Sequence, residues 1–206
     1  ADLVNNYRHM SFNFGPTLLS WLETARPDVY ASMLEADRRS AERFSGHGSA
    51  LAQPYNHMIL PPANRRDKYT QVLWGIRAFE FRFGRKPEGL WLSETAADSE
   101  TLDVLAELGI RFTILSPFQA KSVRELAANQ HWEDVNGGCI DPSRAYLCQL
   151  PSGREISLFF YDAPVSRAIA FEQLLESGER FAARLTSAFS DKRDWDQLVH
   201  VATDGE

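Results

Sequence analysis

Cysteine is scarce in this chain: Cys139 and Cys148 are the only two, and their spacing matches no zinc motif. A disulfide-stapled domain and a thiolate metal centre are therefore excluded as organising features, and the pair reads as buried free thiols, which points to a reducing, cytoplasmic setting. Long apolar runs are also missing. None approaches the ~20 residues of a membrane-spanning helix, so no membrane is expected as a partner. Positive charge is not in excess. Lys and Arg total 22 against 28 Asp and Glu, a net charge of -6, which argues against nucleic acid as the main partner. The five histidines contain no i, i+4 pair and no H-E-x-x-H, so no metal site is expected. There is no G-x-G-x-x-G or P-loop, and Gly46-His47-Gly48-Ser49-Ala50 lacks the final glycine of a nucleophile elbow.

What is present is an ordinary globular composition. The 206 residues, 44% of them hydrophobic, suffice for a sizeable core. Aromatics reach 12%, with 5 Trp and 13 Phe, serving either as core or as platforms for sugar rings. The period of the apolar residues predicts strands over 8–14, 89–93, 110–115, 144–150, 156–161 and 198–203. Helices are predicted over 16–25, 28–44, 64–83, 99–109 and, from Phe171 to Phe189, along one long amphipathic stretch. Residues 46–62 read as an irregular loop broken by glycine and proline. The alternation of strands and helices predicts an α/β fold with a largely parallel sheet, as a barrel or an open sheet. No linker or repeat interrupts it, so residues 1–206 read as one domain.

Two carboxylates stand out by position. Glu94 ends the run Gly89-Leu90-Trp91-Leu92-Ser93-Glu94, and Asp204 ends His200-Val201-Ala202-Thr203-Asp204. Each lies at the carboxyl tip of a predicted strand, the edge where ligands and catalytic groups collect in parallel α/β folds. Each also has a plainer reading, a carboxylate that complements the start of a following helix. Asp162 ends a strand in the same manner and could instead cap the helix after Pro164. Glu206 is a substitute for Asp204. His47 and His57, in the 46–62 loop, could hydrogen-bond sugar hydroxyls or pin the loop. Trp91 could stack on a sugar or pack, and by strand alternation it faces away from Glu94. A strand that delivers Asp204 to a rim should be followed by a returning helix, so the sequence reads as a fragment of a longer protein.

Taken together these segments resemble glycoside hydrolase family 57, whose members act on α-glucans. The likeness rests on Ser11-Phe12-Asn13-Phe14-Gly15-Pro16, on Ala52-Gln53-Pro54-Tyr55-Asn56-His57, on Gly89-Leu90-Trp91-Leu92-Ser93-Glu94-Thr95-Ala96, and on Ala202-Thr203-Asp204-Gly205-Glu206. Ser93 stands where the family usually has proline. The resemblance implies an incomplete, irregular seven-stranded β/α barrel, truncated at both ends. It implies a retaining mechanism with Glu94 as nucleophile and Asp204 as general acid/base, their carboxyl groups about 5–5.5 Å apart. It further implies that His47, His57, Trp91, Asn13 and Asp162 bind an α-glucan or maltooligosaccharide, with no metal or organic cofactor. A metal-dependent carbohydrate deacetylase and a catalytically silent glucan-binding domain are the alternatives.

Overall fold

A computed structural model describes residues 4–126 and 131–204 of the chain. Although the sequence shows no linker, the chain divides into two compact units. The first holds the chain up to Thr113 together with Gln149–Ile156; the second holds Ile114–Cys148 and the chain from Ser157 onward.

In the first unit the helices start and stop where local chemistry dictates. Helix α1 (Pro16–Ala25) and helix α2 (Pro27–Arg43) each open on a proline, whose fixed φ suits the first helical position. Helix α3 (Arg65–Phe83) is capped by Asn64, whose side chain accepts from the Asp67 N–H, and it ends at Gly84 in the left-handed region (φ 66°). Helix α4 (Ser99–Glu107) is capped by Asp98, which accepts from the Thr101 N–H.

These helices flank a parallel ladder. Phe12 pairs with Ala50, Ala52 with Leu90, and Gly89 with Phe112, all parallel. The bonds are short: Leu51 N–H to Phe12 O is 2.8 Å, and Trp91 N–H to Ala52 O is 2.8 Å. The extended segment at 49–52 lies where the sequence predicts only loop. The strand predicted over 8–14 is shorter than expected, because Asn6–Arg8 forms a helical turn and pairing begins at Phe12. Ala50, Ala52, Leu90 and Leu92 are all buried, as befits parallel strands covered on both faces.

A polar network and a close helix contact lock the 49–52 segment in place. The buried carboxylate of Asp37 accepts from Ala50 N–H (2.7 Å) and from Arg85 Nη2 and Nε (2.7 and 2.9 Å), and Arg85 also donates to the Ala50 carbonyl (3.0 Å). Gly48 permits that arrangement, since a Cβ there would lie 2.3 Å from Asp37 Oδ1. On the other side, α3 presses so closely that a Cβ on Gly75 would lie 1.9 Å from the Gln53 carbonyl oxygen.

The strands are β1 (Phe112–Leu115), β2 (Ser122–Val123), β3 (Glu133–Asp134), β4 (Tyr146–Gln149) and β5 (Glu155–Phe160). Strands β1, β5 and β4 form a three-stranded sheet in the order β1-β5-β4, and β2 and β3 pair antiparallel. The predicted pairing of 144–150 with 156–161 is the β4–β5 hairpin, turned at Gly153 (φ 85°). The long helix predicted over 171–189 is instead broken. Helix α5 (Ala163–Phe171) ends at Glu172, Gln173 turns left-handed (φ 54°), and Ser177 caps a new helix α6 (Gly178–Thr186). The break has a physical cause: Asp162 caps a helix that begins eight residues earlier than the pattern suggested, and Phe171 is 81% exposed rather than part of an apolar stripe. No strand forms over 198–203. That stretch is held by Leu198 N–H to Ser143 O (2.8 Å) and Asp162 N–H to His200 O (3.0 Å). Both thiols are free, but Cys139 is exposed, against the expectation of a buried pair, while burial raises the Cys148 pKa. Among the described residues no helix is long and apolar enough to cross a membrane.

Candidate active site

In a parallel ladder the carboxyl ends of all strands share one edge. The first residue past Phe12 is Asn13, the first past Ala52 is Gln53, and Ser93-Glu94 follow the buried Leu92. The pairing of Phe12 with Ala50 and of Ala52 with Leu90 sets the register, so Asn13, Gln53 and Trp91 emerge on one face of the ladder. Asn13 Nδ2 donates to Gln53 Oε1 at 2.6 Å, which ties two neighbouring strand ends together. Gln53 is buried, and the sequence reading did not single it out. It becomes visible only once 49–52 is known to be extended, because it is then the first polar side chain past a strand.

Glu94 occupies an unusual turn. Residues Ser93–Thr95 form a single helical turn in which Glu94 has φ 55° and ψ 23°, and Thr95 follows with φ 52°. Non-glycine residues pay roughly 1–2 kcal/mol each in this left-handed region, and a β-branched threonine is rarely found there. Such strain persists only where the surroundings over-determine it, and it clusters at functional sites. Upstream, Leu92 and Ser93 are buried, and Leu92 O accepts from Thr95 N–H (3.0 Å). Downstream, Asp98 is fixed by its cap on α4 and by Lys68 Nζ at 2.8 Å. The turn ends strand alternation at Ser93, so the expected opposition of Trp91 and Glu94 does not carry through it. Glu94 itself is exposed.

Two histidines predicted to share a loop are separated. His57, at φ 52°, follows the 49–52 segment and lies past the carboxyl edge in a turn closed by His57 N–H to Pro54 O (2.9 Å). His47 precedes that segment and sits at the amino edge. Its Nδ1 donates to Glu88 Oε2 (2.7 Å), and Arg111 donates to the same carboxylate (2.6 Å). The hydrogen bond from His47, opposed by partial burial and aided by Arg111, holds the Glu88 pKa below its ordinary value. The structure thus does not bring His47 to the edge that carries Glu94.

Asp162 takes the plainer of its two roles. Its Oδ1 accepts from Val165 N–H at 2.9 Å, capping α5. In the same unit Asp204 is exposed at the end of the extended stretch that runs past His200. Ser166, anchored on the Asp162 carbonyl, accepts from Ala202 N–H at 3.1 Å and holds that stretch two residues short of Asp204. Glu206 lies outside the described residues. Among the described residues no group of three or more His, Cys, Asp or Glu is placed to hold a metal ion.

An α-amylase of Dictyoglomus thermophilum is 28% identical over 114 residues, which are 53% of this chain and 16% of that protein. The structure of a 4-α-glucanotransferase from Thermococcus litoralis matches 95% of this chain with a TM-score of 0.64 at 19% identity. An exo-type maltose-forming amylase from Pyrococcus sp. ST04 matches 94% of it with a TM-score of 0.67 at 18% identity. The chain spans 27% and 30% of those two structures, so the likeness is one of α/β fold over part of their length. The model of glycosyl hydrolase family 57 matches residues 7–206, and the chain belongs to that family.

Proposed function

We propose that the protein cleaves or transfers α-glucosidic bonds of an α-glucan or maltooligosaccharide by a retaining mechanism, with Glu94 as nucleophile and Asp204 as general acid/base. The observation that carries this reading is Glu94. It is a carboxylate on a strained turn at the carboxyl edge of a buried parallel ladder, beside the face formed by Asn13, Gln53 and Trp91. Family membership and the names of the similar proteins, an α-amylase, a glucanotransferase and a maltose-forming amylase, support the substrate class. The parallel ladder would then be part of an irregular seven-stranded barrel.

In the first step a Glu94 carboxylate oxygen attacks the anomeric carbon. The bond from that carbon to the leaving sugar oxygen breaks, and the oxygen takes the Asp204 proton. In the second, Asp204 removes a proton from water or an acceptor sugar hydroxyl. That oxygen attacks the anomeric carbon and releases Glu94. Two inversions leave the configuration unchanged, and the chemistry needs the carboxyl groups about 5–5.5 Å apart. Asn13, Gln53, Trp91 and His57 are assigned to sugar binding, whereas His47 and Asp162 serve the scaffold.

The test is product analysis on a maltooligosaccharide, with Glu94→Gln in parallel. Shorter or longer glucans of retained anomeric configuration are expected from the parent, with turnover at least about a thousandfold lower in the variant. Equal turnover in both, or inverted products, would overturn the assignment.

A further inference from the structure

One stripe of α3 reaches three separate parts of the carboxyl edge. Gly75 lies against the Gln53 carbonyl. Gln71 holds the loop that follows: its carbonyl accepts from Tyr55 N–H (3.0 Å) and its Oε1 from Asn56 N–H (2.9 Å). Lys68 reaches past the turn at Glu94, with Nζ 2.8 Å from Asp98 Oδ2 and 2.9 Å from Glu100 Oε2. The positions 68, 71 and 75 follow the i, i+3, i+7 spacing of a single helix face.

Among the described residues Lys68 is the largest fully buried side chain, at 1% exposure. Lysine is almost never buried to that degree unless it is paired. Burial opposes its charge most strongly, yet the hydrogen bonds and attraction of Asp98 and Glu100 together raise its pKa, so the ammonium stays charged. An apolar side chain of similar volume would pack between α3 and α4 without that desolvation, so stability alone does not account for a lysine here. What an ion pair adds over an apolar contact is direction. Asp98 receives Lys68 and also caps α4 at Thr101 N–H (2.7 Å), so the downstream end of the Glu94–Thr95 turn has one permitted position. The upstream end is set by buried Leu92 and Ser93. A turn with two consecutive left-handed residues needs both ends held.

We propose that Lys68 is a positioning residue for Glu94: its ion pairs with Asp98 and Glu100 fix the strained turn and register it, through α3, with Gln53 and the 55–57 loop. The role rests on the reading of Glu94 as nucleophile.

The test is hydrogen exchange combined with kinetics on Lys68→Met, and on a second variant, Asp98→Asn with Glu100→Gln, which removes the pairing from the solvent side. In both, the amides of Thr95 and Ala96 are expected to exchange at least about tenfold faster while those of α1 and α2 are unchanged. Turnover of a maltooligosaccharide is expected to fall about tenfold or more with KM within about twofold, the signature of a misplaced reacting group rather than of lost binding. Should Lys68→Met lose protection throughout, the second variant decides. Unchanged exchange in the turn, turnover equal to the parent's, or a raised KM at constant kcat would each overturn the positioning role. Full turnover by Glu94→Gln would overturn the nucleophile assignment separately.

Discussion

The two candidate carboxylates are reached by different kinds of structure. Glu94 stands on a turn gripped from both sides, by buried Leu92 and Ser93 before it and by the Lys68–Asp98 pair after it. Asp204 ends an extended stretch held by hydrogen bonds to Ser143, Asp162 and Ser166 and by half-buried Val201 against Val165, Ala168 and Leu174, and it lies two residues beyond the last of those bonds. The units differ in the same sense. The first buries charged groups in paired sites, Asp37 with Arg85 and Lys68 with its two carboxylates. In the second, no charged group is buried among the described residues, and α6 contributes only half-buried Phe181 and Leu185 to the cluster of Val165, Ala168 and Leu174. A nucleophile must be held within a fraction of an ångström of the atom it attacks, and the first unit provides that kind of support.

If the contrast is real, variants in the first unit will be costly and those in the second mild. The largest loss is expected from Asp37→Ala, which strands Arg85 against Ala50 and should destabilise by about 3 kcal/mol or more, read by denaturant unfolding. Gly75→Ala comes next. Its Cβ has backbone for a neighbour, not a movable side chain, so a loss of about 2–3 kcal/mol is expected. Asp162→Ala removes one helix cap in the second unit and should cost about 1 kcal/mol; a cost matching that of Asp37→Ala would break the comparison. The smallest effect is on pH. Burial lowers the His200 pKa, opposed by backbone hydrogen bonds at Phe160 and Pro142 and by Asp162. The folded state therefore holds fewer protons there than the unfolded chain, and stability should start to fall below about pH 6.5 as the pH drops through the lowered value. His200→Phe should flatten that acid limb in a thermal-unfolding series.

Much of the first unit was legible in the sequence. Helices α3 and α4 fall within the predicted 64–83 and 99–109, because Gly84 and Asp98 act through a single backbone angle or a single side chain that local pattern reveals, whereas the Asn64 cap was read as part of the helix. The tip of the 89–92 segment, and with it Glu94, was legible because a helix start follows it closely. The 49–52 segment was not, because Ser49-Ala50-Leu51-Ala52 is short, rich in alanine and buried on both faces, with neither alternation nor β-branched residues. That one omission misplaced His47: a hidden strand runs between His47 and His57 and sends them to opposite edges. Gln53 was missed for the same reason. Lys68 was invisible because its importance comes from partners 30 and 32 positions away. In the second unit the apparent stripe from Phe171 to Phe189 misled because Gln173 and Ser177 turn the chain twice within it.

The most direct test of Glu94 as nucleophile is to trap the covalent intermediate. A fluorinated α-glucosyl fluoride, which slows both steps but keeps a good leaving group for the first, would be incubated with the protein and the digest read by mass spectrometry. One fluoroglucosyl unit on the peptide containing Glu94, absent from Glu94→Gln, is the expected result. Fluoride release without an adduct, or an adduct on another carboxylate, would contradict the assignment of Glu94.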